Sequence, residues 1–145
     1  MDMLEGKMLL DKDGVCRPVK QILKNKKIII YFFTASYVEN SEIIEKLQEV
    51  YKENEKRDTG MVIIYVSSDG EEENFKYDFG RQGPWVAIPF KDATADELRY
   101  KYDISCLPAL VVVNQDGDII TRRGKEELEQ LAVNVIVTWS EYVQQ

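Results

Sequence analysis

The run Ile28-Ile29-Ile30-Tyr31-Phe32-Phe33 constrains this chain more than any other segment. Six apolar residues in succession, three of them β-branched, are too few to cross a membrane and lack the polar alternation of a half-wet strand. They predict a strand covered on both faces, which places it centrally in a sheet with helices on either side. Thr-Ala-Ser-Tyr-Val-Glu-Asn-Ser, residues 34–41, breaks that run into a turn. A helical pattern follows over 39–55. Ile43, Leu47, Val50 and Tyr51 recur at helical spacing, while Glu42, Glu45, Lys46, Glu49 and Lys52 take the wet face.

Residues 7–10 and 15–19 flank Asp11-Lys12-Asp13-Gly14, a hairpin turn. That run lacks the further ligands of a calcium loop, so the turn is the better reading. Ile22 and Leu23 sit on a short helix. Residues 61–66 form a second buried strand, and the small polar residues Ser67-Ser68-Asp69-Gly70 suit capping of a helix over 71–79. Prolines at both ends hold 84–90 extended. A helix over 96–102 turns Leu98 and Tyr102 inward. A proline turn at 104–108 leads into a strand ending at Val113, and Asn114-Gln115-Asp116-Gly117-Asp118 turns it into a return strand over 119–122. Leu128, Leu131, Val135, Trp139 and Tyr142 mark one face of a C-terminal helix. The order predicts one α/β domain over 1–145, a mixed central sheet flanked by helices on both faces.

Nineteen Lys and Arg against 26 Asp and Glu give a net charge of −7. An acidic chain repels phosphate backbones, so nucleic acid is not an expected partner. No apolar run approaches a membrane span, and the first residues show no secretory pattern, so no membrane role is expected. With no histidine, His-activated nucleophiles and His-ligated metals are excluded. Cys16 and Cys106 are too few for a metal cluster, and neither metal nor cofactor is expected. Low cysteine content fits a reducing cytosol, with the nucleus as a second compartment.

Four further segments carry a resemblance: Pro84-Trp85-Val86-Ala87-Ile88-Pro89-Phe90; Asp96-Glu97-Leu98 with Tyr102-Asp103-Ile104; Leu107-Pro108-Ala109-Leu110-Val111-Val112; and Asp116-Gly117-Asp118-Ile119-Ile120-Thr121. Together they resemble the tryparedoxin and nucleoredoxin branch of the thioredoxin-like superfamily, nucleoredoxin-like proteins especially, over about residues 5–143. The resemblance implies a thioredoxin-like fold and a cis peptide at Leu107–Pro108. It also implies a Trp-Cys-x-x-Cys motif where the first strand turns into its helix. No cysteine stands there. Val38 and Ser41 occupy the two cysteine slots in one register, Tyr37 and Asn40 in the other.

Thiol–disulfide exchange needs a low-pKa thiolate at a helix N-terminus and a second thiol to resolve the mixed disulfide. Tyr37, Val38, Glu39, Asn40 and Ser41 supply no thiol. Glu39 adds a carboxylate where the thiolate would form, and Ser41 reads as a first-turn cap. The expected function is therefore a redox-inactive nucleoredoxin-like protein, a monomeric protein-interaction module rather than an enzyme. The resemblance implies oxidative-stress or cell-survival signalling. Protein partners would lie in a groove of Tyr37, Trp85, Ile88, Leu107 and Pro108. The alternatives are a weak thiol oxidoreductase or peroxidase using Cys106, and a chaperone-like holdase. Outside those alternatives Cys106 and Cys16 read as small structural fillers, Cys106 in the core. Arg122, Arg123 and Lys125 read as a charged hairpin edge.

Overall fold

The structure, a computed structural model, describes residues 4–143. A seven-stranded sheet runs in the order β2-β1-β5-β4-β3-β6-β7. Its strands are β1 (Met8–Leu10), β2 (Cys16–Pro18), β3 (Ile28–Thr34), β4 (Met61–Ser67), β5 (Val86–Ala87), β6 (Ala109–Asn114) and β7 (Ile119–Thr121). β3 lies at the heart of the sheet. It pairs in parallel with β4, from Ile28 opposite Met61 to Thr34 opposite Ser67. On its other side it pairs antiparallel with β6, with Phe33 opposite Ala109. All seven β3 residues are buried, as the uninterrupted apolar run requires.

Alternate β3 side chains feed two cores. Ile28, Ile30 and Phe32 meet Ile43, Ile44, Leu47 and Val50 of α2 (Ser41–Arg57), Phe75 and Phe79 of α3 (Glu72–Gly80), Leu128 of α5 (Gly124–Leu131) and Trp139 of α6 (Val135–Val143). Ile29, Tyr31 and Phe33 meet Val19 of α1 (Val19–Ile22), Leu9, and Leu98 of α4 (Ala93–Lys101). This is the expected mixed sheet with helices on both faces. Two glycines are steric necessities. A Cβ on Gly83 would lie 2.1 Å from the Trp85 ring, and one on Gly124 would lie 2.8 Å from the Leu110 carbonyl oxygen. Among the described residues no helix is long and apolar enough to cross a membrane.

Several sequence readings need correction. The helix read over 39–55 starts at Ser41 and runs to Arg57, where Asp58 closes it in the left-handed region at φ 51°. The helix read over 71–79 is Glu72–Gly80, and no side chain caps it. The Asp69 carboxylate instead accepts from Ser67 and from Ser36. Of the extended 84–90 segment only Val86–Ala87 joins the sheet. The helix read over 96–102 is Ala93–Lys101, begun by Asp92, whose carboxylate accepts the Thr94 amide at 2.9 Å. The C-terminal helix is two helices, separated by a 3-10 turn over Ala132–Asn134 in which Ala132 takes a φ of 50°. That break re-aims the face: Leu128, Val135 and Trp139 are buried, whereas Leu131 and Tyr142 are exposed.

Candidate functional site

The β3–α2 turn lies between two neighbours fixed by the sheet register. β4 brings Ser67 beside Thr34, and Asp69 follows two residues later. The antiparallel register of β6 brings Pro108 to the same end of β3. The Leu107–Pro108 peptide is cis, and both residues are half-buried.

The turn is held from both flanks. Val38 N–H donates to the Ala35 carbonyl at 3.1 Å, closing a tight turn. On the β4 side the Asp69 carboxylate accepts the Ser36 amide at 3.0 Å and the Ser36 hydroxyl at 2.7 Å. Beneath the first turn of α2 lies a polar cluster. Asn40 is 2% exposed and turns its side chain inward, donating to Thr34 Oγ1 at 3.0 Å and reaching Asp78 Oδ1 at 3.5 Å. Arg81 donates to the Asn40 side-chain oxygen and, through Nε at 3.0 Å, to Asp78. Asp78, fully buried, also accepts from the Tyr65 hydroxyl at 2.7 Å and from Gln82 Nε2 at 3.3 Å. Gln82 in turn accepts from Trp85 Nε1 at 3.0 Å. Buried polar groups require partners, and this cluster supplies them to one another. Lys12 reaches in from the β1–β2 hairpin, donating to the Phe79 carbonyl with its ammonium 4.1 Å from the Phe79 ring centroid. Burial pushes its pKa down, and the Asp78 charge works in the opposite direction.

Because Asn40 points inward, it makes no side-chain cap for α2. Glu39 takes that role: its Oε1 accepts the Ser41 amide at 2.9 Å. The Ser41 amide foremost, then its hydroxyl and more distantly Arg81, hold the Glu39 carboxyl below its ordinary pKa. The first-turn cap thus comes from Glu39 and not, as read from sequence, from Ser41. An N–H at the head of the helix that could stabilise a thiolate is already bonded to a carboxylate.

The five-residue groove read from sequence does not form as such. Tyr37 is 72% exposed at the tip of the turn. Trp85 and Ile88 are each 2% exposed, in the two opposite cores, and neither is a surface group. Leu107 and Pro108 remain near the surface. Cys106 is exposed rather than a buried filler, and so is Cys16. Cys106 lines a cleft of about 230 Å³ with Leu107, Pro108, Arg122 and Lys125, and none of residues 35–41 lines it. Asp103 and Glu126 line the same cleft, so its charge is mixed, and Lys125 is paired with Glu129. Arg122 also donates to the Tyr102 carbonyl at 2.5 Å, so it does more than charge a hairpin edge. The sequence reading missed the Asp78 cluster. Its available signal was Asp78 three residues after Phe75, on the helix face that Phe75 buries.

Comparison with known proteins agrees with this geometry. Residues 25–119 match the family described as Thioredoxin-like. The chain is 34% identical over 109 residues to probable nucleoredoxin 1 of Arabidopsis thaliana, covering 75% of this chain and 18% of that protein. It is 26% identical over 131 residues to human nucleoredoxin-like protein 1, covering 85% and 61%. The chain thus spans less than two thirds of the curated relatives it matches. Among solved structures, thioredoxin-related protein 16 of Carcinoscorpius rotundicauda superimposes with a TM-score of 0.80 at 30% identity, covering 97% of this chain and 99% of that one. Tryparedoxin structures match as well. Sheet order, the strand–turn–helix site and these matches agree: the chain belongs to the thioredoxin-like family, in the branch of the nucleoredoxins and tryparedoxins.

Proposed function

We propose that this protein is a redox-inactive nucleoredoxin-like module that binds protein partners at the β3–α2 turn. The carrying observation is Tyr37, a large exposed aromatic on a turn held rigid by Asp69 and by the Asn40–Asp78–Arg81 cluster. A pre-ordered aromatic loses little entropy on binding, and such residues dominate interface energies. The absence of cysteine from 17–105 and the Glu39 carboxylate at the helix head support the loss of thiol chemistry. A signalling role finds support in the Carcinoscorpius neighbour, described as regulating transcription factor NF-kB activity.

Reduction of insulin by dithiothreitol tests the redox half: turnover at the reagent-only rate is expected. Tyr37→Ala tests the binding half. With folding verified by circular dichroism, a captured partner should bind roughly thirtyfold more weakly, the effect of losing an anchor of about 2 kcal/mol. Unchanged affinity would remove Tyr37 from the interface. A second reading, a weak thiol oxidoreductase, rests on the exposure of Cys106 at the edge of a cleft. Insulin turnover that Cys106→Ser abolishes would favour it.

A further inference from the structure

A larger cleft, about 890 Å³, opens at the end of the sheet opposite Tyr37, where β3 begins. Its floor is Val19, Leu23 and Ile29, and Lys7, Lys20, Lys24 and Lys26 stand around it. Gln115, at the far end of β6, closes one side by donating Nε2 to the Lys26 carbonyl at 2.7 Å. Among the described residues Glu5 is the single acid in the lining.

The charge here runs against the rest of the chain. Residues 14–38 hold Arg17, Lys20, Lys24, Lys26 and Lys27 and not one acid, in a protein whose acids outnumber its cations 26 to 19. Lys20, Lys24 and Lys26 form no ion pair among the described residues. Four lysines gathered with Glu5 leave the cleft with excess positive charge, which raises its energy when empty, and an anionic ligand relieves it.

We propose that this cleft binds an acidic amphipathic segment of a partner protein, with its apolar side chains on Val19, Leu23 and Ile29 and its carboxylates at the lysine rim. The proposal does not depend on the reading of the β3–α2 turn. The floor is recessed, with Val19 7% and Ile29 1% exposed, so the ligand must bring apolar groups in. Among the described residues its apolar lining is buried or half-buried, and a net charge of −7 opposes an anionic membrane. The lysines come from the residue before β1, from α1 and from the turn after it. That spread suits several carboxylates along a peptide better than the single one of a fatty acid.

The test uses a fluorescein-labelled helical peptide of Glu and Leu, with Leu at helical spacing, read by fluorescence anisotropy and amide NMR shifts. Saturable binding should shift the amides of Val19, Lys20, Leu23, Lys24, Ile29 and Gln115 and weaken with salt. The surface variant Lys20→Glu/Lys24→Glu should bind at least about tenfold more weakly, and Lys20→Gln/Lys24→Gln should fall between it and wild type. Absence of binding, shifts elsewhere, or equal affinity in both variants overturns the proposal. So does variant-sensitive binding of laurate or phosphatidylserine vesicles without binding of the peptide, which assigns the cleft to lipid. Variant-sensitive self-association without peptide binding assigns it instead to a second copy of the chain.

Discussion

Asp78→Ala is the most informative single change. In the folded protein its buried carboxylate receives the Tyr65 hydroxyl at 2.7 Å, Arg81 Nε at 3.0 Å, Gln82 Nε2 at 3.3 Å and Asn40 Nδ2 at 3.5 Å. Removing one member of a buried ion pair costs about 3–5 kcal/mol, because the other charge is left uncompensated. The Arg81 side chain is 30% exposed and can turn toward water, which favours the lower end. The fully buried Tyr65 hydroxyl cannot reach water but keeps Ser67 as a neighbour, which favours the lower end of the roughly 1–3 kcal/mol cost of an orphaned buried donor. Since these terms overlap, a loss of about 3 kcal/mol is expected, or a fall in Tm of roughly 6–12 °C for a chain of this size. Urea unfolding followed by the fluorescence of Trp85 and Trp139 measures it. Tyr65→Phe alone should cost about 1 kcal/mol, and the two changes together less than their sum, because each removes the same hydrogen bond. A cost below about 1 kcal/mol for Asp78→Ala, or strict additivity with Tyr65→Phe, would refute the idea that Asp78 organises the floor of the turn.

Gly124→Ala decides between propensity and packing. Helix propensity alone favours alanine by about 1 kcal/mol. The new methyl would meet Leu110 Cβ and its carbonyl oxygen at 2.8 Å, so a net loss of about 1–3 kcal/mol is expected in urea unfolding, and a gain would show that α5 shifts freely. Acid should destabilise the fold through Asp11, Glu39 and Asp92. The Arg17 side chain lowers the Asp11 pKa and the Ser41 amide lowers that of Glu39, while burial raises that of Asp92 but is outweighed by bonding to Thr94. Carboxyls with depressed pKa contribute stability above their ordinary values, 3.8 for Asp and 4.5 for Glu, and lose it as pH falls through the lower folded values. Urea midpoints measured downward from pH 6 should therefore drop below about pH 4.5, and a midpoint that rises there would contradict the sign. Both thiols should react with a disulfide reagent in the folded protein, and Cys106→Ser should remove one of the two.

The strand–turn–helix at 28–57 was legible because its signals are local: an apolar run, polar turn residues, then helical periodicity. The groove was not. Trp85 and Ile88 are three positions apart in an extended segment, and an odd separation sends side chains to opposite faces. They duly enter different cores. The Asp78 cluster joins residues that are 38 or more positions apart between Asn40 and the α3 end, beyond the reach of any local pattern. Ala132, a strong helix former, gives no hint that the chain breaks there.

The segment that carries the family signature, residues 25–119, leaves out part of the core. Trp139, Val135 and Leu128 lie beyond one end of it, and Leu9, Val19 and the Lys12 contact lie before the other, all at buried or half-buried positions. A chain trimmed to that segment would uncover the face of α2 that these helices shield. It would also strip β1 from β5, leaving an unpaired sheet edge open to other molecules. Anyone preparing a minimal fragment for binding studies would obtain the turn with Tyr37 on an aggregating remnant, because the parts that make the site recognisable are not the parts that keep it in solution.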